Sequence, residues 1–553
     1  MTPRGLARLL LAWGLLTIAL AAGAHAWSRG SVVRGTFLAT AWVAGAFDGR
    51  ASGTSPEAAR TALGPTFARI AVDEVTAEGP LPPGPLVAFA FAPNVDGAVV
   101  RAGSKTVYLT PDELRGARIY DVAFGAPEMG SGFGVSMPLL VDVAAARLGL
   151  PPAELARTAT VRRARMRPVV ETKDPAPSSA EVVRSASLLR ARAMEAAYYL
   201  VRNQDDAGRY RYLVRAETNA ALGGYNWPRH AGATLFLAEA ALASSDPALG
   251  AAAARGGAYL RTASLGDCGG RRCAMEDGVP GFGASALALL AFAAIAPLDI
   301  LGGPPAREEV AKLAAFLRSQ QRPDGEFAHE YDLSRHAPVD VQYMYYTGEA
   351  ALALSRAHRL TGDPQDLDAA RRALSHLVRR AWSFFGNRYW VAEEHWTCQA
   401  MEDLWDRAAD REAFAFCLRW QEVQRALQGP PRAEGELAQD LEGSFGITPF
   451  FSPRLTPTAS RAEASVATLN VLLAAEPTDG AQAAAIRAST ARALGLVVRE
   501  QLLPGPSHAF RDPSAVSGAV PGSPVDLDLR IDYAQHAGSA MLRYATFLSR
   551  HPE

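Results

Sequence analysis

The sequence predicts a mainly α-helical chain: an (α/α)6 toroid preceded by a small α+β domain and an N-terminal signal or anchor segment. Three observations point there. From residue 180 to 550 apolar residues recur at helical spacing in twelve segments. The connections between these segments alternate short and long. Each segment that follows a long connection is small and apolar nearly all round, as in Gly281-Phe-Gly-Ala-Ser-Ala-Leu-Ala-Leu-Leu-Ala-Phe292, so it must be buried. The others are amphipathic, as in Arg307-Glu-Glu-Val-Ala-Lys-Leu-Ala-Ala-Phe-Leu-Arg318. Six buried helices inside six amphipathic ones make a toroid, with an open solenoid of helical repeats as the competing arrangement.

At 553 residues the chain exceeds one ordinary core, and 49% apolar with 20% charged residues is a normal globular balance. A net charge of -1 supplies no excess of cations for phosphates, which argues against a nucleic-acid partner. Arg4 and Arg8 precede an apolar run from Leu9 to Ala22, and Ala24-His25-Ala26 fits a small-x-small cleavage site. Residues 1–26 are therefore expected to act as a signal peptide or membrane anchor, placing the protein outside the cytoplasm, periplasmic or anchored and facing the exterior.

Residues 27–65 show no clear period and are left unassigned. Residues 66–171 read as the α+β domain: strands at Leu86–Phe91 and on both sides of Gly103-Ser104, a helix from about Met137 to Leu148, and a strand from Thr160 to Val170. Lys173-Asp-Pro-Ala-Pro-Ser-Ser179 is a linker. The toroid domain, 180–550, has helices expected at 180–203, 229–243, 248–263, 283–297, 305–321, 339–361, 364–382, 394–408, 410–428, 459–474, 478–502 and 532–549. Alternating loop lengths in antiparallel hairpins put all the long loops at one end.

Of the four cysteines, Cys268 and Cys273 sit in a flexible Asp-Cys-Gly-Gly-Arg-Arg-Cys loop and suit a local disulfide in an exported protein. Cys398 and Cys417 fall on helices and are expected to be small buried hydrophobes. His395 and Cys398 have a metal-like spacing, but no second Cys-His pair accompanies them, so no metal and no cofactor is expected.

The chemistry is expected where the buried helices begin. Their N-termini, with free N–H groups and positive dipole ends, converge at the long-loop face. The residues there are unusually polar for a buried ring: Tyr225-Asn-Trp227-Pro-Arg229-His230, Asp340 and Tyr343, Glu394-His395-Trp396, Arg461 and Glu463, and Arg530-Ile-Asp532-Tyr-Ala-Gln-His536. Capping alone explains any one of the acids, and any one His can be a structural residue. What capping does not explain is polar chemistry recurring at equivalent points of different hairpins. The candidate catalytic groups are His230, Asp340, Glu394, His395, Asp532 and His536. The candidate binding groups are Tyr225, Trp227, Arg229, Tyr343, Trp396 and Arg530, with Tyr389 and Trp390 as further flat faces for sugar rings. Asp324-Gly325 reads as a turn.

Gln321-Arg-Pro-Asp-Gly-Glu-Phe327 and Tyr346-Thr-Gly-Glu-Ala-Ala-Leu-Ala-Leu-Ser-Arg-Ala-His-Arg-Leu-Thr-Gly-Asp363 resemble the six-hairpin, glycan-active toroids: glucuronyl C5-epimerase-like, sugar epimerase and unsaturated-glycuronyl hydrolase-type proteins. The Gln-x-x-Asp-Gly-x-Phe piece is also similar to the terpenoid cyclase toroid, but Asp526-Leu-Asp-Leu529 lacks the last acid of that family's Asp-x-Asp-Asp, and the lanthionine-cyclase zinc set is missing. In residues 86–171, Asp96-Gly97, Gly103, Leu109-Thr-Pro111 and Gly149-Leu-Pro-Pro152 resemble the C-terminal half of the AMMECR1 family, which implies no catalytic residue. The resemblance to the glycan-active toroids implies an exported carbohydrate-active enzyme using acid/base chemistry on a glycan, uronate-containing or neutral. The alternative is a non-catalytic envelope protein that binds a glycan or other polar partner.

Overall fold

Inner helices make the ring and outer helices enclose it. The computed structural model describes residues 3–552 except 44–45, 65–69, 83–85, 121–134, 170–178, 299–302, 380–393, 430–441, 446–452, 477–479 and 504–509. The toroid helices are α1 (Ala186–Arg202), α2 (Trp227–Ser244), α3 (Pro247–Ala263), α4 (Phe282–Ile295), α5 (Gly303–Ser319), α6 (Tyr346–Thr361), α7 (Pro364–Arg379), α8 (Glu394–Ala408), α9 (Arg411–Leu427), α10 (Leu455–Ala475), α11 (Gly480–Glu500) and α12 (Ile531–Arg550). The even-numbered helices touch in sequence from α2 to α12, and α12 packs back on α2. That closure rules out an open solenoid.

Local chemistry sets most boundaries. Asn226 caps α2, its Oδ1 accepting from Arg229 N at 3.2 Å, with Pro228 in the first turn where its missing N–H costs nothing. Asp410 caps α9 through the N–H groups of Glu412 and Ala413. Gly362 ends α6 in the left-handed conformation at φ 79°. The buried ring depends on small residues: all but one residue of α4 are buried, and a Cβ on Gly283 would lie 2.4 Å from the Tyr346 ring of the next inner helix.

The outer ring is stapled by a repeated device. Gln321, past the end of α5, donates from Nε2 to Gly325 O (3.1 Å) in the following turn and to Ala369 O (2.9 Å) on α7. Gln204 does the same to Gly208 and Ala252, Gln428 to Gly443 and Ser489, and Gln501 to Gly518 and Arg192. One amide thus closes a turn and ties it to the next outer helix. The Asp324-Gly325 turn is one of four such staples among the described residues.

The helical assignment departs from the sequence expectation at two places. The helix expected over 180–203 is broken at Ser185 into a short helix, Ser179–Arg184, and α1. Residues 337–339 pair with 330–332 in a hairpin, so α6 begins at Tyr346 rather than near 339. Asp340 is left outside the helix, on an exposed loop. A further departure concerns the thiols: Cys398 and Cys417, expected as unbridged hydrophobes, form a disulfide between the hairpin neighbours α8 and α9, with Cα atoms 5.8 Å apart. Cys268 and Cys273 are bridged as expected.

The α+β portion is one antiparallel sheet built from β1 (Ser31–Val32), β2 (Phe37–Val43), β3 (Ala46–Gly53), β4 (Ile70–Pro80), β5 (Asp96–Ala102), β6 (Lys105–Leu109) and β7 (Thr160–Pro168). The order is β3-β2-β4-β7-β5-β6, with β1 added on β4. The stretch 27–65 therefore supplies three strands and a helix, Pro56–Leu63, to this sheet. The segment around Leu86–Phe91 is a short helix, Val87–Ala90, instead of a strand. An N-terminal helix, Pro3–Ser28, leads directly into β1. The sheet domain docks on the loop that enters α12: Val525 joins the core around Val87 and Phe91, Asn94 Nδ2 donates to Pro524 O (2.5 Å), and Arg118 pairs with Asp528 at 2.6 Å.

Candidate active-site cleft

A cavity of about 340 Å³ opens where the six inner helices begin, and all six contribute to its wall. Asn226 and Arg229 come from the start of α2, Leu287 from α4, Tyr345, Tyr346 and Glu349 from α6, and His395 and Trp396 from α8. Thr456 and Ser460 come from α10, and Arg530, Asp532, Gln535 and His536 from α12. The positive ends of the helix dipoles and the free first-turn N–H groups therefore face one space.

The central contact joins α10 to α12. His536 Nδ1 lies 2.9 Å from Glu463 Oε2, both groups being largely buried. Burial works to lower the His536 pKa, but the Glu463 carboxylate outweighs it and holds the imidazole above its ordinary value. The His395 ring faces His536 edge to face, with centroids 5.6 Å apart. Trp396 packs beside both rings, at 4.7 Å from His395 and 6.2 Å from His536. One ligand atom from each of His395, Glu463 and His536 lies within 4.8 Å of the others, a nitrogen- and oxygen-bearing donor set suited to a cation.

A second cluster forms the facing wall. Arg530 grips Asp532 with both nitrogens, Nε–Oδ1 2.6 Å and Nη2–Oδ2 2.9 Å, and Arg229 Nε approaches Oδ2 at 3.5 Å. Burial works to raise the Asp532 carboxyl, yet Arg530 and Arg229 keep it below the ordinary carboxylate range. Tyr345, the residue before α6, sits at φ 76°, an uncommon backbone for an aromatic residue, and presents its ring edge to His395. Burial, followed by the charge of Glu349, pushes the Tyr346 phenol up to about 12, so it serves as a neutral hydroxyl. Deeper along the axis, Arg543 pairs with Glu402, which also accepts from Asn470 (2.5 Å), while Arg356 reaches Glu239 at 2.9 Å. These groups lie seven residues, about two helical turns, past His536, His395, Glu463, Glu349 and Gly232 respectively, and Arg543, Glu402, Asn470 and Glu239 line a separate cavity of about 540 Å³.

The residues singled out from the sequence are distributed as follows. Arg229, His395, Trp396, Arg530, Asp532 and His536 share the cleft. His230 does not line it. The ring is fully buried beneath the wall, with Nε2 2.9 Å from Gly256 O and Nδ1 2.7 Å from the Tyr225 hydroxyl, and burial lowers its pKa to about 4. Both nitrogens being satisfied by the scaffold, His230 joins the hairpins rather than facing a ligand. Tyr225 and Trp227 pack around that ring at 5.9 and 5.6 Å. Asp340 lies outside the cleft with its side chain 67% exposed, bonded to Gln342 (2.6 Å) and Arg322 (2.5 Å) because the hairpin displaced it from the helix mouth. Tyr343 is not among the residues lining the cleft; it is exposed and stacked on His329, with ring centroids 6.4 Å apart. Tyr389, Trp390 and the Glu394 side chain lie outside the described residues.

Asn226, Tyr345, Tyr346, Glu349 and Gln535 line the cleft without being sequence candidates, and Glu463, a polar residue noted at the start of its helix, was not among the candidate catalytic groups. The available signal was a carboxylate inside an otherwise small and apolar helix: Glu463 in Ser460-Arg-Ala-Glu-Ala-Ser465, and Glu349 in Tyr346-Thr-Gly-Glu-Ala-Ala351. The helical zinc spacing of His395 and Cys398 is overturned, since Cys398 is bridged to Cys417.

Known structures share this fold. A cellobiose 2-epimerase from Bacillus thermoamylovorans B4167 aligns with a TM-score of 0.51 at 10% identity, over 66% of this chain and 99% of its own. A sugar epimerase from a ruminal bacterium gives 0.49 at 10% identity over 66% and 99%, and an unsaturated glucuronyl hydrolase specific for heparin gives 0.45 at 12% over 66% and 99%. No family model and no curated protein matches the sequence, so the AMMECR1 likeness of residues 86–171 gains no support. At such identity the first of these likenesses shows the toroid and leaves the substrate open.

Proposed function

We propose that this chain is an exported carbohydrate-active enzyme that moves protons on a sugar bound in the cleft. The observation that carries the reading is the Glu463–His536 pair held opposite His395, where all six inner helix N-termini meet. A carboxylate-oriented imidazole facing a second imidazole supplies an acid and a base on two sides of one small space. That arrangement supports abstraction and return of a proton, as in epimerisation or isomerisation, better than glycoside hydrolysis, which uses two carboxylates flanking the bond. Asp532 is a poor candidate for the second carboxylate because two guanidinium groups already occupy it.

The same ion pairs bear on the substrate. Arg229 and Arg530 both engage Asp532, so a uronate would have to displace that carboxylate to be held. A neutral sugar, bonded by Asn226, Gln535 and the Tyr346 hydroxyl against Trp396, suits the wall better. Export is supported by the pairing of all four cysteines. The N-terminal helix includes an apolar stretch, Leu11–Ser28, long enough to cross a membrane. Ala24 and Ser28 at its end are buried, and Arg163 Nη1, which donates to Ala90 O at 2.8 Å, lies against that helix end, which favours a retained anchor over a cleaved signal.

The test is a screen of the purified full-length protein against neutral and acidic sugars in D2O, read by NMR for solvent deuterium at carbon and for epimeric products. His536→Asn and Glu463→Gln are expected to lower turnover by about 10²–10⁴ while the fold is kept. A screen silent throughout, with glycan binding retained, would sink the enzymatic reading and leave the binding protein.

A further inference from the structure

We propose that His395, Glu463 and His536 form a binding site for one divalent transition-metal cation of the zinc class. The three donors come from three successive inner helices, α8, α10 and α12, and their ligand atoms already lie within 4.8 Å of one another. A tetrahedral zinc with bonds of about 2.0–2.1 Å needs its ligand atoms about 3.3 Å apart. The Glu463–His536 contact at 2.9 Å must therefore open slightly and His395 must approach by at most about 1.5 Å, which side-chain rotation supplies without moving a helix. Their backbones are held firmly: the inner ring is closed, and the Cys398–Cys417 bridge fixes α8 one turn beyond His395. Glu463 Oε2 and His536 Nδ1 are already in contact at 2.9 Å, so little ordering remains for the cation to impose.

The donor types select the ion. Two imidazoles and one carboxylate suit zinc and its transition-metal neighbours, whereas magnesium and calcium favour oxygen ligands. Three protein donors leave a fourth position, and the cavity beside His395 and His536 offers room for a water or a sugar hydroxyl to fill it. Cation and proton compete for the same lone pairs, so an occupied site has no free acid/base pair. That consequence rests on the catalytic reading above; the binding itself does not.

The experiment uses the full-length protein in detergent, stripped with a chelator and titrated with Zn²⁺ against a chromophoric competitor, with Mg²⁺ in parallel. One Zn²⁺ per chain is expected, with no displacement by Mg²⁺. Affinity should fall at least about tenfold in His395→Gln and in Glu463→Gln, each checked by circular dichroism, and stay unchanged in His336→Ala, a histidine on an exposed turn. Failure to bind Zn²⁺ stoichiometrically, or wild-type affinity in the two cleft variants, overturns the site. Silence of the chelator-stripped protein in the sugar screen, beside intact zinc binding, would overturn the catalytic reading and leave this one standing.

Discussion

Replacing Gly325 by alanine tests whether the outer-ring staples hold the toroid together. Gly325 sits at φ 93°, where an L side chain is strained by about 1–2 kcal/mol. Its new Cβ would lie 2.3 Å from Arg372 O on α7, and backbone cannot rotate away as a flexible side chain can. The turn must move by about 1 Å to restore an ordinary contact. That displacement stretches the bonds from Gln321 Nε2 to Gly325 O and from Gly325 N to Arg322 O, both 3.1 Å, at about 1 kcal/mol each. The reduced freedom of the unfolded chain returns about 0.4–1 kcal/mol. The net expected loss is about 3 kcal/mol. Gly362 is the control: it has φ 79° but meets nothing within 4 Å, so Gly362→Ala carries the strain without the collision and should lose about 1 kcal/mol. Urea unfolding of both full-length variants gives the comparison. Losses equal to within about 0.5 kcal/mol would refute the close-packed staple and reduce Gly325 to an ordinary turn glycine.

Three more outcomes are expected. Asp532→Asn leaves Arg530 and Arg229 without their shared carboxylate in a buried wall and should cost about 3–5 kcal/mol in thermal unfolding, where a loss under 1 kcal/mol would show the cluster to be solvated. Removing the Cys398–Cys417 bridge by a double serine substitution frees a loop with a sequence separation of 19 and should lower stability by about 3 kcal/mol, read by urea unfolding with and without reductant. His376 on α7 contacts Glu326 (3.1 Å) and Asp324 O (3.3 Å); burial lowers its pKa, but these partners outweigh burial and raise it. Its contribution is thus complete below the unfolded value of about 6.5 and is lost as pH rises through the folded value, so the stability gap between wild type and His376→Gln should narrow above about pH 6.5.

The positions of most helices and the convergence of the inner N-termini were legible because both depend on local properties: apolar period, caps and loop length. The polar residues at the starts of α2, α8 and α12 pointed to one face, and Arg229, His395, Arg530, Asp532 and His536 do meet there. His230 shows where this reasoning runs out. Its neighbour Arg229 turns toward the cleft while His230, one residue or about 100° further around the helix, turns into the scaffold toward Gly256. Asp340 failed for another reason: a short hairpin used up the residues before it, and hairpin pairing is a contact between segments.

By itself the sequence determined the helical class, the inner and outer roles of the helices and the end of the molecule at which chemistry is to be sought. It did so because burial and amphipathicity are properties of each helix alone. Only the tertiary structure decided that Glu463 orients His536, that Asp532 is shared between two arginines, and that Cys398 meets Cys417. Each of these is a distance between side chains on different helices. Such distances follow from the rotation of each helix about its own axis, which depends on the packing of all twelve.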